Sequence, residues 1–250
     1  MASRIVLVTG ANSGVGYAIS KVIASASEHF HVIMSGRSLD KVNAAKAELQ
    51  ATGDIKGTLS SLQLDVVDEK SIEQAVAAVD QQHGRLDVLI NNAGVTSSNP
   101  DIRTRFQTCM ETNVLGATLV ATTFRPLLLK SKNPYSVYVS SGVGSLHTAA
   151  GPDSFATKFP NGEMYRASKA AVNMVMLDEW ARFKDQGLKT FGVDPGLVVS
   201  NLRGTSEQAR SAFGRAEDPI VAGRSVLSII QGERDGDTGK VVYRESIHPW

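Results

Sequence analysis

Apolar residues fall along this chain in short unbroken runs, separated by stretches in which they recur with helical period. Val6–Val8, Val88–Ile90 and Val137–Val139 are continuous rather than alternating. That is the pattern of strands covered on both faces in a parallel sheet. The runs predict strands near 4–9, 31–35, 60–65, 86–91, 135–140, 188–193 and 239–243. Helices are expected near 14–27, 38–51, 69–82, 101–131, 162–186 and 216–231. Regular alternation of the two predicts a sheet built from βαβ units with helices on both faces. The expected class is α/β: a doubly wound parallel sheet of about seven strands. No repeat or low-complexity linker interrupts the pattern, so residues 1–250 read as one domain.

The polar punctuation gathers at one end of these strands, where ligands of open α/β sheets bind. TGANSGVG follows the first strand, Ser35–Arg37 the second and Asp65–Val66 the third. Asn91–Gly94 follows the fourth, Ser140–Gly144 the fifth and Asp194–Ser200 the sixth. In the first of these segments Gly10, Gly14 and Gly16 stand between a buried strand and a helix start. Glycines there let the backbone approach a phosphate, and the helix N-terminus offers unpaired N–H groups with a partial positive charge. Tight packing alone also calls for glycines in such a turn, and their spacing is G-x-x-x-G-x-G rather than G-x-G-x-x-G.

Tyr165 and Lys169, in YRASK, lie one helical turn apart and leave the same helix face. A phenol titrates near ~10, too high for proton transfer at neutral pH, and a neighbouring ammonium favours the phenolate. The pair therefore has the form of a tuned acid. The same spacing also arises where a buried ring packs beside a solvated lysine stem.

Composition narrows the classes. A net charge of +1, without a run of like charges, argues against a nucleic-acid or membrane-surface binder. No apolar run approaches a membrane span. Cys109 is the only cysteine, which excludes an intrachain disulfide and points to a reducing compartment. With the first strand beginning a few residues after Met1, no signal peptide is expected and the location is expected to be cytoplasmic. The five histidines are scattered without ligand spacing, so no metal site is expected.

Taken together and in order, Thr9–Gly16, Asn91–Asn92–Ala93–Gly94, Ser141–Gly144, Tyr165–Lys169 and Pro195–Gly196 resemble the motifs of the short-chain dehydrogenase/reductase family over essentially the whole chain. The resemblance implies a Rossmann-type, single-domain oxidoreductase that binds a nicotinamide dinucleotide. Tyr165 resembles the proton donor to a substrate carbonyl oxygen, and Lys169 the residue that lowers its pKa and holds the nicotinamide ribose. Ser141 resembles the serine that orients the carbonyl, and is preferred to Ser140 because x-x-G follows it. Asn113, in ETNVLG, resembles the asparagine that supports a water-linked proton relay.

For the cofactor, the glycine loop supplies Gly10, Asn12, Ser13, Gly14, Val15 and Gly16. Asp65 resembles the residue bonding the adenine amino group, with Val66 beside it, and Asn92, Ala93 and Gly94 would line the site. Beyond the sixth strand lie Pro195 and Gly196, then Val198 and Ser200, which resemble contacts to the nicotinamide carboxamide. Relatives that take NAD carry an acidic residue after the second strand, whereas this chain has Gly36 and Arg37. An arginine grips a 2′-phosphate through a planar fork, so NADP is expected. NADP-binding relatives often carry a second basic residue in the glycine loop, where this chain has Ser13.

Ser141 and Tyr165 are 24 residues apart, about twice the family's habit, so residues 145–163 read as an insertion over the substrate site. A flap over 197–215 holds Leu202, Arg203, Arg210 and Phe213, a mixed apolar and basic lining. The implied activity is reduction of a ketone or aldehyde on a medium-sized organic compound, with a carbonyl or alcohol as small-molecule partner. Alternatives are a non-redox isomerisation or dehydration on the same scaffold, and a non-catalytic NADP-sensing regulator. Family habit points to a homodimer or homotetramer.

Overall fold

A computed structural model describes residues 3–152, 154 and 162–250. Strands β1 (Arg4–Val8), β2 (Phe30–Gly36), β3 (Thr58–Gln63), β4 (Val88–Asn91), β5 (Tyr135–Val139), β6 (Lys189–Val193), β7 (Val241–Tyr243) and β8 (Ser246–His248) form one sheet. Its order is β3-β2-β1-β4-β5-β6-β7-β8. All neighbours are parallel except the last pair, which is antiparallel. The sheet has eight strands where about seven were expected. β8 escapes the apolar pattern because its Ser246 and Ile247 are exposed and only pairing with β7 makes it a strand.

The helices are α1 (Gly14–Ala26), α2 (Leu39–Ala51), α3 (Glu69–His83), α4 (Ile102–Met110), α5 (Ala117–Leu128), α6 (Leu146–Ala150), α7 (Glu163–Phe183), α8 (Glu207–Arg210) and α9 (Ile220–Ile230). Local chemistry fixes several ends. Asp68 caps α3 by accepting from the amides of Lys70 and Ser71, and Gly84 closes it in the left-handed region at φ 69°. Asp101 caps α4 through the amide of Thr104. The stretch expected as one helix over 101–131 is instead α4 and α5 joined by a wider π turn, Glu111–Gly116. Hydrophobic period cannot register such a one-residue excess. A π turn of this kind often marks a functional position, and here it contains Asn113.

The central strands divide their side chains between two cores. Val6, Val8, Val32 and Met34 face Ile19 and Ile23 of α1, and Val226 and Ile229 of α9. Ile5, Leu7, Ile33 and Leu89 face Ile72 of α3, Phe124 of α5 and Met176 of α7. This two-sided burial explains the continuous apolar runs. β1 lies between β2 and β4, so the chain winds one way to β3 and the other way to β8. The reversal opens a crevice over the carboxyl ends of β1 and β4. No described helix is long and apolar enough to cross a membrane.

Phe124 of α5 is fully buried against the sheet. Phe124→Ala is expected to cost about 3–5 kcal/mol in denaturant unfolding. A loss under about 1 kcal/mol would contradict this packing.

Candidate active site

The crevice is a cleft of about 460 Å³, and strand ends β1, β2, β4 and β5 contribute to its walls. Fifteen of the expected residues line it: Gly10 and the run Asn12 to Val15, Arg37, Asp65, Val66, the run Asn92 to Gly94, Tyr165, Lys169, Pro195 and Ser200. Gly16, Asn113, Ser141, Gly196 and Val198 are not in its lining.

The glycine loop is locked to the fourth strand end. The Asn92 side chain donates to the carbonyls of Thr9 (2.7 Å) and Gly10 (3.3 Å). The Thr9 hydroxyl accepts from the amides of Asn92 (2.9 Å) and Ala93 (3.0 Å). Gly16 works from behind: a Cβ there would stand 2.5 Å from both Asn92 Nδ2 and the Gly10 carbonyl oxygen. Gly14, at φ +56°, lies against Ser200, so the flap's root meets the loop. At the start of α1 the Ser13 hydroxyl makes no cap, leaving the first-turn amides without a side-chain acceptor. Such amides bind anions well.

Over β2 the lining holds Arg37 and also Lys41, one helical turn further on, which the sequence reading passed over. A side chain at Gly36 would meet Asn12 Oδ1 and Val42 at 3.1 Å, so an acidic residue there would crowd the loop. Arg37, Lys41 and Lys169 face a single lining carboxylate, Asp65. The open amides and the cationic balance fit a dinucleotide phosphate group, so the residues present suit the nicotinamide cofactor that the family motifs imply.

On the far side, Lys169 is buried and its Nζ donates to the Val139 carbonyl at 2.7 Å. The same Nζ is 5.6 Å from the centre of the Tyr165 ring. Burial pulls the ammonium down to about 8, against an upward pull from Asp194. The phenol of Tyr165 is pushed well above its ordinary value, first by burial and then by the Asp194 carboxylate, although its ring keeps some solvent access. The expected lowering of that phenol by Lys169 is therefore not what this arrangement gives. Desolvation is the largest cause of the rise, and the ammonium's hydrogen bond is directed at a backbone carbonyl rather than at the phenol.

Asn113 sits behind this pair. Its Oδ1 accepts from the Val95 amide at 2.7 Å, and its Nδ2 donates to the Val95 carbonyl and the Ser168 hydroxyl, both at 2.9 Å. It ties the fourth strand end to α7 at Ser168, the residue before Lys169. Of the adjacent serines, Ser140 is buried and donates to Asn173 on α7. Ser141 begins the tight turn Gly142–Gly144 and accepts from the Val143 amide at 3.4 Å. Ser140's hydroxyl is thus committed although Ser140 lines the cleft, whereas Ser141 stands just outside that lining.

Asp194 was missed as a functional residue. It carries charge to the Tyr165–Lys169 pair, and only its position before Pro195–Gly196 hinted at this. In the flap, Arg203 donates to the carbonyls of Val198 (2.7 Å), Ala209 (3.1 Å) and Arg210 (2.7 Å), so it braces the flap rather than lining the cleft. Val198 is buried and pairs with Glu217. Leu202 lines the cleft, while Phe213 is 76% exposed at the flap's tip. The insertion begins with α6, and its residues 153 and 155–161 lie outside the described part.

The family profile described as short chain dehydrogenase matches residues 4–211. The chain is 34% identical over 255 residues to the short-chain dehydrogenase/reductase tropE of Talaromyces stipitatus, covering 97% of this chain and 96% of that one. Among solved structures it superposes on an NADPH-bound carbonyl reductase from chicken fatty liver, with a TM-score of 0.83, 23% identity and the whole of both chains covered. It also superposes on a 3-ketoacyl-(acyl-carrier-protein) reductase from Brucella melitensis complexed with NADH, with a TM-score of 0.79, 19% identity, and 97% of this chain and 96% of that chain covered.

Gly16→Ala forces the Asn92 amide and the Gly10 carbonyl apart. It is expected to weaken dinucleotide binding at least ~10-fold by fluorescence titration, with a Tm shift of only a few degrees. Binding within about twofold of the parent would contradict the packing argument.

Proposed function

We propose that this chain, which belongs to the short-chain dehydrogenase family of nicotinamide-dependent oxidoreductases, is an NADPH-dependent reductase of a ketone or aldehyde on a medium-sized organic compound. One observation carries the reading: a buried lysine and a tyrosine share a face of α7 inside a cationic cleft.

Arg37 stands over β2 and Lys169 over β5, with β1 and β4 between them. The glycine-loop amides, Arg37 and Lys41 would hold the phosphates, Arg37 and Lys41 favouring a 2′-phosphate. Asp65, Val66 and Asn92 to Gly94 would line the rest, with Pro195, Gly196, Val198 and Ser200 at the flap's root. The two solved neighbours hold NADPH and NADH respectively, so the preference for NADP rests on Arg37, Lys41 and Gly36. Bound there, the reduced nicotinamide supplies the hydride to the carbonyl carbon.

The chain's own groups manage the proton. Tyr165 keeps its proton, because burial and Asp194 oppose ionisation, until a substrate oxygen gains charge. The Tyr165 hydroxyl then protonates that oxygen, and the Lys169 ammonium stabilises the phenolate left behind. Ser141 orients the carbonyl by a hydrogen bond. Both ends of the Asn113 amide are engaged, so a water-linked relay at Asn113 would run through its backbone. Exposed Leu115 beside it and Met174 on α7 support association as a homodimer or homotetramer. The insertion and the flap would shape the substrate's end of the cleft.

Tyr165→Phe is expected to lower kcat/KM for carbonyl reduction by about 10²–10⁴-fold while leaving the NADPH Kd within about threefold. NADPH binding without oxidation by any carbonyl of a ketone and quinone panel would instead favour a non-redox or sensing role. Arg37→Glu is expected to raise the KM for NADPH at least ~10-fold and to spare NADH. Equal effects on both coenzymes would contradict the assignment of Arg37.

A further inference from the structure

The carboxylate of Asp194 accepts from three segments of chain. Its Oδ1 takes the Gly196 amide at 2.9 Å, and its Oδ2 takes the Gly142 amide at 2.8 Å. The third partner is His248, whose Nε2 lies 2.8 Å from Oδ2. A carboxylate only accepts, so the imidazole donates.

Gly142 directly follows Ser141 and opens the tight turn that Ser141 begins. A Cβ at Gly142 would stand 2.7 Å from the His248 ring, so the imidazole packs directly on the backbone of this turn. His248 lies on β8 and stacks on Tyr243 of β7, with ring centres 5.0 Å apart. Tyr243 in turn meets Gly196, where a Cβ would be 3.4 Å from the ring. Two residues beyond His248, the Trp250 carbonyl accepts from the His147 amide of α6 at 2.7 Å. The C-terminal hairpin thus touches the serine turn, the Pro195–Gly196 turn and the insertion at once.

We propose that His248 is a positioning residue, which through Asp194 fixes the turn carrying Ser141 beside Tyr165. Its kinetic consequence rests on the reductase reading above, whereas the fixing of the turn does not. With all three donors in place, the carboxylate is held in one position and Ser141 is presented in one orientation. Loss of the imidazole donor leaves Oδ2 with the Gly142 amide alone, and the turn gains freedom.

The test compares His248→Phe, which keeps a ring against Tyr243 but no donor, with His248→Gln, whose amide reaches as far as Nε2. Each is made in the parent and in a Ser141→Ala background. In the parent, His248→Phe is expected to speed hydrogen exchange at the Gly142 amide and to lower kcat about tenfold, the worth of one hydrogen bond to a charged group. The NADPH Kd should stay within about twofold. His248→Gln should restore most of both losses. With Ser141→Ala already present, His248→Phe should lower kcat no further. Should His248→Phe not fold, His248→Asn, one methylene shorter than glutamine, supplies the same contrast.

Gly142 exchange unchanged in His248→Phe would overturn the inference, as would an equal kcat loss in both backgrounds. A parent protein that turns over no carbonyl would sink the reductase reading. Faster Gly142 exchange in His248→Phe would then still support the positioning role.

Discussion

Burying the Lys169 ammonium is the constraint around which the rim of this sheet is arranged. Water is lost from the charge, and the compensation is one backbone carbonyl, that of Val139, together with the more distant field of Asp194. No carboxylate among the described residues forms an ion pair with this ammonium. A cation without an ion-pair partner, facing a cleft lined by the glycine-loop backbone, Arg37 and Lys41, gives the site an appetite for anions. The same burial holds Tyr165 in its protonated form, so one cost in solvation shapes both the binding and the acid chemistry.

Geometry follows from the sheet. Parallel strands bring six loop segments to one edge, and the reversal between β1 and β4 keeps those loops apart enough to leave a cleft. Side chains behind the lining then set positions: Asn92 couples the glycine loop to the fourth strand, and Asn113 couples that strand to α7. Asp194 couples the fifth and sixth strand ends. These polar bridges hold neighbouring strand ends together, and hydrogen-bonded polar groups of this kind make an interior rigid rather than costly.

The parallel sheet, the rim where the cleft opens and most of the residues that line it were legible in the sequence because parallel strands buried on both faces leave unbroken apolar runs, and the glycines fall at their ends. β8 was not legible, since three residues with two exposed carry no such pattern. The π turn at Asn113 was hidden because one extra residue barely disturbs helical periodicity. Lys41 was legible as a base four residues beyond Arg37, outside the glycine loop where relatives carry their second basic residue. The Asp194–His248 contact joins residues 54 apart in sequence. No local spacing reports such a pairing. The upward push on the Tyr165 phenol was hidden for a related reason: adjacency to a lysine is visible in a sequence, but desolvation is not.

The most direct measurement is the titration of Lys169 itself, followed by NMR at its labelled ε-methylene in the cofactor-free protein. Its midpoint is expected at about 8, well below the ordinary lysine range, with the charge lost as the pH rises through that value. A midpoint at the ordinary 10.5 would mean a solvated lysine and would contradict the buried acid pair.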